Sequence, residues 1–151
     1  KKNRLGIKAL GDVVAEMSPL DGAVAFLDRL RPKFQVVILS DTFYELAMSL
    51  MAYLGWPTLL CHQLTLSDDC ITGYKLRQDD PKFHAVDAFR KINLPVIAAG
   101  DSYNDISMLT HADVGILFRP PQVVVDDYPS FAVASDHNDL GDKIEFFGAR
   151  L

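Results

Sequence analysis

The sequence has few cysteines, little positive charge and no long apolar run, and each shortage excludes a class of protein. Cys61 and Cys70 form neither a disulfide framework nor a metal-type spacing, which is typical of the reducing cytosol. The formal net charge of −5 provides no electrostatic footprint for nucleic acid. No apolar run reaches the roughly 18 residues of a membrane-spanning helix, and no apolar segment of a secretion signal follows the basic residues 1–4. We therefore predict a cytoplasmic protein that binds neither nucleic acid nor membrane.

Apolar and polar segments alternate in the order expected for an α/β protein. Hydrophobic residues make up 49% of the 151-residue sequence, which is enough for a real core. Helical patterns separate short apolar runs, and this alternation is typical of a doubly wound, Rossmann-like parallel sheet. The sequence predicts strands at 34–39, 96–100, 114–118 and 131–134, and a hairpin within 59–76.

The stretch 95–109 contains the strongest functional pattern. An apolar strand ends at Gly100, and Asp101 follows at its carboxyl end, where open α/β sheets bind ligands. Ser102 and Asp105 are spaced as a capping box that starts a helix. Two neighbouring carboxylates repel each other, and Mg²⁺ removes that cost because it prefers oxygen ligands. The pattern predicts a Mg²⁺ site at Asp101 and Asp105, with a plain helix cap beside a solvated aspartate as the alternative.

A second strand end, at Ser40 and Asp41, has a similar pattern. Thr42 and Glu45 predict a capping box for the next helix. A hydroxyl and backbone N–H groups at such a turn can hold a phosphate, although Ser40 could equally just satisfy the turn. Since Thr42 and Glu45 would complete the cap without Asp41, we expect the Asp41 carboxylate to serve an amino group.

Lys82 stands where a lysine is electrostatically unfavourable. Asp79-Asp80-Pro81 predicts a helix start, so Lys82 falls in the first turn, where its charge opposes the helix macrodipole. The two interpretations are a functional lysine and an ordinary exposed one, and in either case we expect folding not to depend on it. A hydroxyl, an ammonium and a carboxylate pair suit phosphoryl transfer, whose transition state spreads negative charge over several oxygens.

These motifs resemble those of the haloacid dehalogenase (HAD) superfamily. Its second motif is matched by V-V-I-L-S ending at Ser40, its third by Lys82, and its fourth, G-D-x-x-x-D, by residues 100–105. The segments S-D-T-F-Y-E, L-R-Q-D-D-P-K and A-A-G-D-S-Y-N-D are similar to superfamily members that hydrolyse phosphoserine and transfer its phosphoryl group to homoserine. Ser40-Asp41-Thr42 stands where ordinary phosphoserine-hydrolysing members have Ser-Gly-Gly, which favours the homoserine branch.

The resemblance implies a role for each matched residue. Asp101 would be a direct Mg²⁺ ligand, and Asp105 would support the metal shell or orient Lys82. Ser40 and Lys82 would hold the phosphoryl oxygens. Substrate contacts would come from the two residues Asp41 and Asn104.

The resemblance also implies a fold and a reaction. Residues 19–151 would form the HAD-like α/β core, and residues 1–18 would be the remnant of a helical cap. An aspartate would attack phosphoserine to form an aspartyl-phosphate, and water or homoserine would then take the phosphoryl group.

The superfamily's first motif, D-x-D or D-x-E, is not found in the printed sequence. No aspartate is followed two positions later by an acidic residue. We therefore expect a chain that lacks the nucleophile, the central first strand and most of the cap, and that is inactive alone.

Two other functions stay open. One is a phosphatase of this fold for another small phosphomonoester, since the cap largely sets the substrate. The other is a phospho-acceptor signalling domain, although such domains place acidic residues first and lysine last, whereas here Ser40 and Lys82 precede Asp101. A dinucleotide-binding domain is excluded because the sequence contains no G-x-G-x-x-G signature. A homodimer is retained as a hypothesis for the oligomeric state.

Overall fold

The structure is a computed structural model, and it describes residues 6–151. The basic start of the chain, residues 1–4, lies outside the described residues. The chain divides into two compact units, the first ending at Asp79 and the second comprising Asp80–Leu151. Each unit contains a three-stranded sheet with helices. The predicted α/β class is therefore confirmed.

The first unit is a mixed sheet in the order β1-β2-β3. Strands β1 and β2 are parallel, and β2 and β3 form the antiparallel hairpin that the sequence predicts. The hairpin turn is Asp68-Asp69, with φ values of 49° and 59°, the left-handed pair that suits a two-residue hairpin loop. The elements are α1 (Ile7–Ala15), α2 (Ala23–Leu30), β1 (Val37–Phe43), α3 (Tyr44–Tyr53), β2 (Thr58–Ser67) and β3 (Cys70–Lys75).

The end of β1 differs from the prediction. The strand continues through Thr42 to Phe43, and α3 begins at Tyr44 without a side-chain cap. Thr42 is therefore not the helix cap. Glu45 does not complete a capping box either, because its Oε2 accepts the N–H of Leu64 at 3.0 Å. The physical reason is the ladder with β2, which resumes at Phe43, the partner of His62, after a register shift that follows Leu39.

Helix α2 begins at a glycine. Gly22 occupies the N-cap position with a left-handed φ of 83°. Glycine adopts that conformation without the steric cost of a Cβ atom. The helix buries the side chains of Leu27 and Leu30.

The second unit is an all-parallel sheet in the order β4-β5-β6. Its central strand is buried on both faces, with Ile116 and Leu117 both 0% exposed, as expected for a parallel strand covered by helices. The predicted strands are all present. The elements are α4 (Pro81–Lys91), β4 (Ile97–Gly100), a short 3₁₀ helix (Tyr103–Asp105), α5 (Ile106–His111), β5 (Val114–Phe118), α6 (Gln122–Asp127), β6 (Ala132–Ala134) and α7 (His137–Gly148).

Strands β1 and β4 each lie at an edge of their own sheet. Among residues 6–151, β1 has β2 as its one strand neighbour, and β4 has β5. The expected further strand of the superfamily sheet stays a prediction. In the same range, no helix has the length and apolar character needed to cross a bilayer.

Candidate functional site

The turn after β4 is held by the capping box that the sequence predicts between Ser102 and Asp105. Asp105 Oδ2 accepts the backbone N–H of Asp101 at 3.0 Å and that of Ser102 at 3.4 Å. These bonds satisfy donors that a helix start leaves unpaired. They also fix the Asp105 carboxylate against the carboxyl end of β4.

Gly100 is required for this close approach. A Cβ atom added at Gly100 would lie 2.5–2.6 Å from the Cβ, Cγ and Oδ2 atoms of Asp105. Such distances are far shorter than a van der Waals contact, so a larger residue would push the carboxylate away. The sequence marks Gly100 as the end of a strand and the first residue of the G-D-x-x-x-D motif, and only the structure shows its packing against Asp105.

Lys82 reaches the same carboxylate from the first turn of α4. Its Nζ donates a hydrogen bond to Asp105 Oδ1 at 2.8 Å, and the two residues are only 8% and 6% exposed. This burial excludes the interpretation of Lys82 as an ordinary exposed lysine. It also corrects the expectation that folding does not depend on Lys82, because its removal would leave Asp105 buried without its cationic partner.

Oxygen atoms of three side chains lie together at the same turn. The hydroxyl of Ser102 donates to Asp101 Oδ1 at 3.1 Å and also bonds to the side-chain oxygen of Asn104. Asp101 and Asn104 are exposed, whereas Asp105 behind them is buried. The turn therefore presents hard oxygen donors at its surface and a charge-balanced pair beneath them.

This donor set fits Mg²⁺, which typically takes one or two carboxylates and fills its other positions with water and phosphate. Both oxygens of Asp105 already accept hydrogen bonds, one from Lys82 and one from backbone N–H groups. Asp101 is therefore better placed as a direct ligand, with Asp105 as its support. Within residues 6–151, no three His, Cys, Asp or Glu side chains are grouped as a metal site, so this turn offers two carboxylates rather than a closed cage.

Two further bonds connect this turn to neighbouring elements. Tyr103 donates its hydroxyl hydrogen to Asp127 at 2.5 Å, and this bond raises the pKa of Tyr103. The hydroxyl of Ser107 donates to Asp80 at 2.9 Å, which joins α5 to the residue preceding α4. The elements that hold Asp101, Lys82 and Asp105 are thus linked directly.

The other predicted site residues, Ser40 and Asp41, lie in β1 of the first unit. Ser40 Oγ accepts the N–H of Thr42 at 3.3 Å, which is the local role that the sequence left as an alternative. Asp41 is exposed, and its Oδ1 lies 3.8 Å from Nε2 of His62. The structure thus groups Ser40 with Asp41 in one unit, and Lys82, Asp101, Asn104 and Asp105 in the other.

His62 is a further polar residue beside Asp41 that the sequence motifs did not single out. His62 lies on β2 and is 6% exposed. The usable signal is its position within L-L-C-H-Q-L, where a polar ring interrupts an apolar strand and therefore needs partners.

The comparisons with known proteins agree with the motifs. Residues 4–110 match the sequence pattern of the family described as haloacid dehalogenase-like hydrolase. The protein named phosphoserine phosphatase ThrH from Pseudomonas aeruginosa is 53% identical over 148 residues, which are 95% of this chain and 71% of that protein. A phosphoserine phosphatase from Pseudomonas syringae pv. tomato is 51% identical over 138 residues, which are 91% of this chain and 57% of that protein.

Similarity to a solved structure supports the fold. The crystal structure of phosphoserine phosphatase from T. onnurineus superposes with a TM-score of 0.74 at 24% identity, covering 93% of this chain and 66% of that one. The predicted superfamily fold is therefore confirmed. The chain spans 71%, 57% and 66% of the lengths of these three proteins, respectively.

Proposed function

Because the chain belongs to the haloacid dehalogenase-like hydrolase family, we propose that it is the phosphoryl-transfer core of a magnesium-dependent, cytoplasmic phosphatase that acts on phosphoserine. Both curated relatives are named for that activity. The observation that carries the proposal is the buried Lys82–Asp105 pair directly beneath the exposed Asp101. It combines a fixed cation with carboxylate oxygens at the carboxyl end of a parallel strand.

Lys82 would neutralise charge on the phosphoryl oxygens. Catalysis of phosphoryl transfer consists mostly of positioning and charge stabilisation, and groups that are already in place need no reorganisation. Asp105 supplies that preorganisation because it holds the Lys82 Nζ at 2.8 Å in a buried setting. A local cation also matters because the chain has a net charge of −5 and the substrate is an anion.

Asp101, supported by Asp105, would hold Mg²⁺, which when bound would neutralise further phosphoryl charge. Asn104 would contact the substrate from the exposed side of the same turn. In the first unit, the hydroxyl of Ser40 would donate to a phosphoryl oxygen. The Asp41 carboxylate would bind the ammonium group of an amino acid.

The proposed reaction has two steps. An aspartate oxygen would form a bond to phosphorus while the bond to the serine oxygen breaks, and serine would leave after taking up a proton. Water or the hydroxyl of homoserine would then attack the aspartyl-phosphate and release the aspartate. No aspartate of the printed sequence has an acidic residue two positions later, so we propose that these 151 residues alone do not turn over phosphoserine.

A chimera tests this proposal. The chain replaces its matching segment in the P. aeruginosa relative, and phosphate release from phosphoserine is measured with Mg²⁺ and with EDTA. We expect activity with Mg²⁺ and none with EDTA, and we expect Asp101→Asn to abolish the activity. Turnover that persists in EDTA would contradict the metal assignment, and turnover by the 151-residue chain alone would contradict the assignment of the nucleophile.

Lys82→Ala in this chimera tests the role of the lysine. Loss of one preorganised group typically lowers kcat by about 10²–10³. Lys91→Ala is the matched control, because Lys91 lies in the last turn of the same helix, pairs with Asp87 and has a side chain that is 74% exposed. Equal kcat values for the two variants would leave Lys82 with a structural role only.

Homoserine addition tests the transferase activity. We expect phosphohomoserine to form from phosphoserine in competition with release of phosphate to water. Asp41→Gly introduces the glycine that the ordinary phosphoserine-hydrolysing members have at this position. It should shift transfer of the phosphoryl group from homoserine towards water. An unchanged partition would remove Asp41 from acceptor recognition.

A further inference from the structure

The proton position on His62 follows from its backbone partner. His62 Nδ1 accepts the N–H of Arg77 at 3.2 Å, so this nitrogen carries no proton. In the neutral imidazole one nitrogen is the donor and the other the acceptor. The hydrogen of the ring therefore resides on Nε2.

Nε2 is directed at Asp41. The distance from Nε2 to Asp41 Oδ1 is 3.8 Å, and the His62 side chain is 8% exposed while that of Asp41 is 46% exposed. In the β1–β2 ladder, Phe43 is the partner of His62, and the register shifts between Leu39 and Phe43, the stretch that contains Asp41. The ring of Phe43 lies 6.1 Å from the imidazole, and the Asp41 carboxylate approaches the same imidazole at Nε2.

The neighbouring acid has a different task. Glu45 Oε2 accepts the backbone N–H of Leu64 at 3.0 Å, and this bond ties α3 to β2. The part-exposed acid that faces the imidazole is Asp41. Asp41 Oδ1, at 3.8 Å, lies just outside hydrogen-bond distance of Nε2, so a short approach of Asp41 would let the ring N–H donate to it.

We propose that His62 is a positioning residue that aims the Asp41 carboxylate, so that the two residues together form a recognition site for the ammonium group of the amino-acid phosphoryl acceptor. The inference rests on the proposed function. A carboxylate offers about four lone-pair positions on its two oxygens, so an N–H at one of them fixes its direction and leaves capacity for a cationic ligand. His62 acts through Asp41 and has no contact with the reacting atoms.

Two substitutions separate positioning from plain packing. The oxygen of asparagine in His62→Asn can still accept the Arg77 N–H, but its shorter side chain has no group at the position of Nε2. The amide of glutamine in His62→Gln can place an N–H donor near that position. If His62 only accepts the Arg77 N–H, the His62→Asn variant should behave like the unsubstituted protein. If His62 positions Asp41, the His62→Gln variant should do so instead.

The measurement is the ratio of phosphohomoserine to phosphate formed by the chimera from phosphoserine, together with KM for homoserine. We expect His62→Asn to lower the ratio about tenfold and to raise KM for homoserine, with His62→Gln close to the unsubstituted protein. His84→Asn, at an exposed histidine of the second unit, is the control and should leave the ratio unchanged. Equal ratios for the asparagine and glutamine variants would overturn the inference.

An independent readout uses the 151-residue chain without substrate. Proton–nitrogen correlation spectra of the imidazole should show the hydrogen on Nε2, with a shift of its resonance in Asp41→Asn. If the chimera releases no phosphate from phosphoserine, the proposed function fails, and the spectra still decide the His62–Asp41 coupling. A hydrogen on Nδ1, or an Nε2 resonance unaffected by Asp41→Asn, would overturn it.

Discussion

The ends of β1 and β4 begin from similar sequences and have different structures. Each has an apolar strand, an aspartate and a helix-capping pattern. After β4, the helix starts at once and its capping carboxylate, Asp105, is buried with Lys82. At β1, the strand continues to Phe43 and the carboxylate of Glu45 bonds to a neighbouring strand instead.

The difference shows how one local pattern can serve two purposes. The turn after β4 is held by a buried ion pair, so its charges are fixed before any ligand arrives. The end of β1 leaves Asp41 exposed beside a buried histidine, an arrangement that suits recognition of a variable group. We therefore expect substitutions at the β4 turn to cost more stability than substitutions at the β1 end.

The largest effect is expected for Lys82→Met. Removing one partner of a buried ion pair typically costs about 3–5 kcal/mol because the other charge stays buried. Lys8→Met is the control, since Lys8 and Asp12 form a pair with side chains 85% and 68% exposed, and such pairs contribute about 0–1 kcal/mol. Hydrogen exchange of the β5 amides should report the loss. Equal costs for the two variants would contradict the difference between the strand ends.

Gly100→Ala is expected to cost about 1–3 kcal/mol, because the new Cβ would overlap Asp105. Gly73→Ala in β3 is the matched control. A Cβ atom at Gly73 would meet Thr65 only at 3.9–4.0 Å, which is an ordinary contact. Urea-unfolding midpoints followed by far-UV circular dichroism compare the two variants. An unchanged unfolding midpoint in Gly100→Ala would show that the β4 turn has room to adjust.

At the β1 end, Glu45→Met should cost about 1–2 kcal/mol, because it leaves the Leu64 N–H without its acceptor. Thr42→Val should change stability by less than about 0.5 kcal/mol, since the hydroxyl does not cap α3. Fluorescence of Trp56, which lies in the same unit, can follow urea unfolding. A larger loss of stability in Thr42→Val than in Glu45→Met would support the Thr42–Glu45 capping box that the sequence predicts.

The last prediction concerns the pH dependence of stability and Cys61, on β2 beside His62. Burial, followed by the nearby Glu45, raises the pKa of the thiol from 9.0 to about 11. The unfolded chain then loses this proton at lower pH than the folded protein, so the stabilisation is present below pH 9 and is lost as pH rises towards 11. We expect a loss of about 1 kcal/mol for each pH unit in that window. Cys61→Ala should flatten this part of the stability profile, and an unchanged slope would contradict the assignment to Cys61.

Short-range features were predictable because neighbouring residues determine them. The capping box of Ser102 and Asp105 and the hairpin turn at Asp68-Asp69 each depend on residues at most three positions apart. The start of α4 at Pro81 follows from the fixed φ of proline. The family also followed from local motifs, and the comparisons confirm it.

The missed features depend on residues far apart in the sequence. Glu45 bonds to Leu64 across 19 positions, and Lys82 pairs with Asp105 across 23. Whether an acid caps its own helix or bonds to another strand is decided by which partner the fold brings within hydrogen-bond distance. Propensity and spacing carry no information on that choice.

The sequence by itself determined the α/β class, the elements of the second unit and the residue types of the candidate site, because periodicity and capping act over a few residues. Only the tertiary structure decided that Lys82 is buried on Asp105, that β1 continues through Thr42 and that His62 faces Asp41. The physical reason is that burial and long-range pairing set the free energy of a charged or polar group, and both depend on the packing of elements distant in the chain.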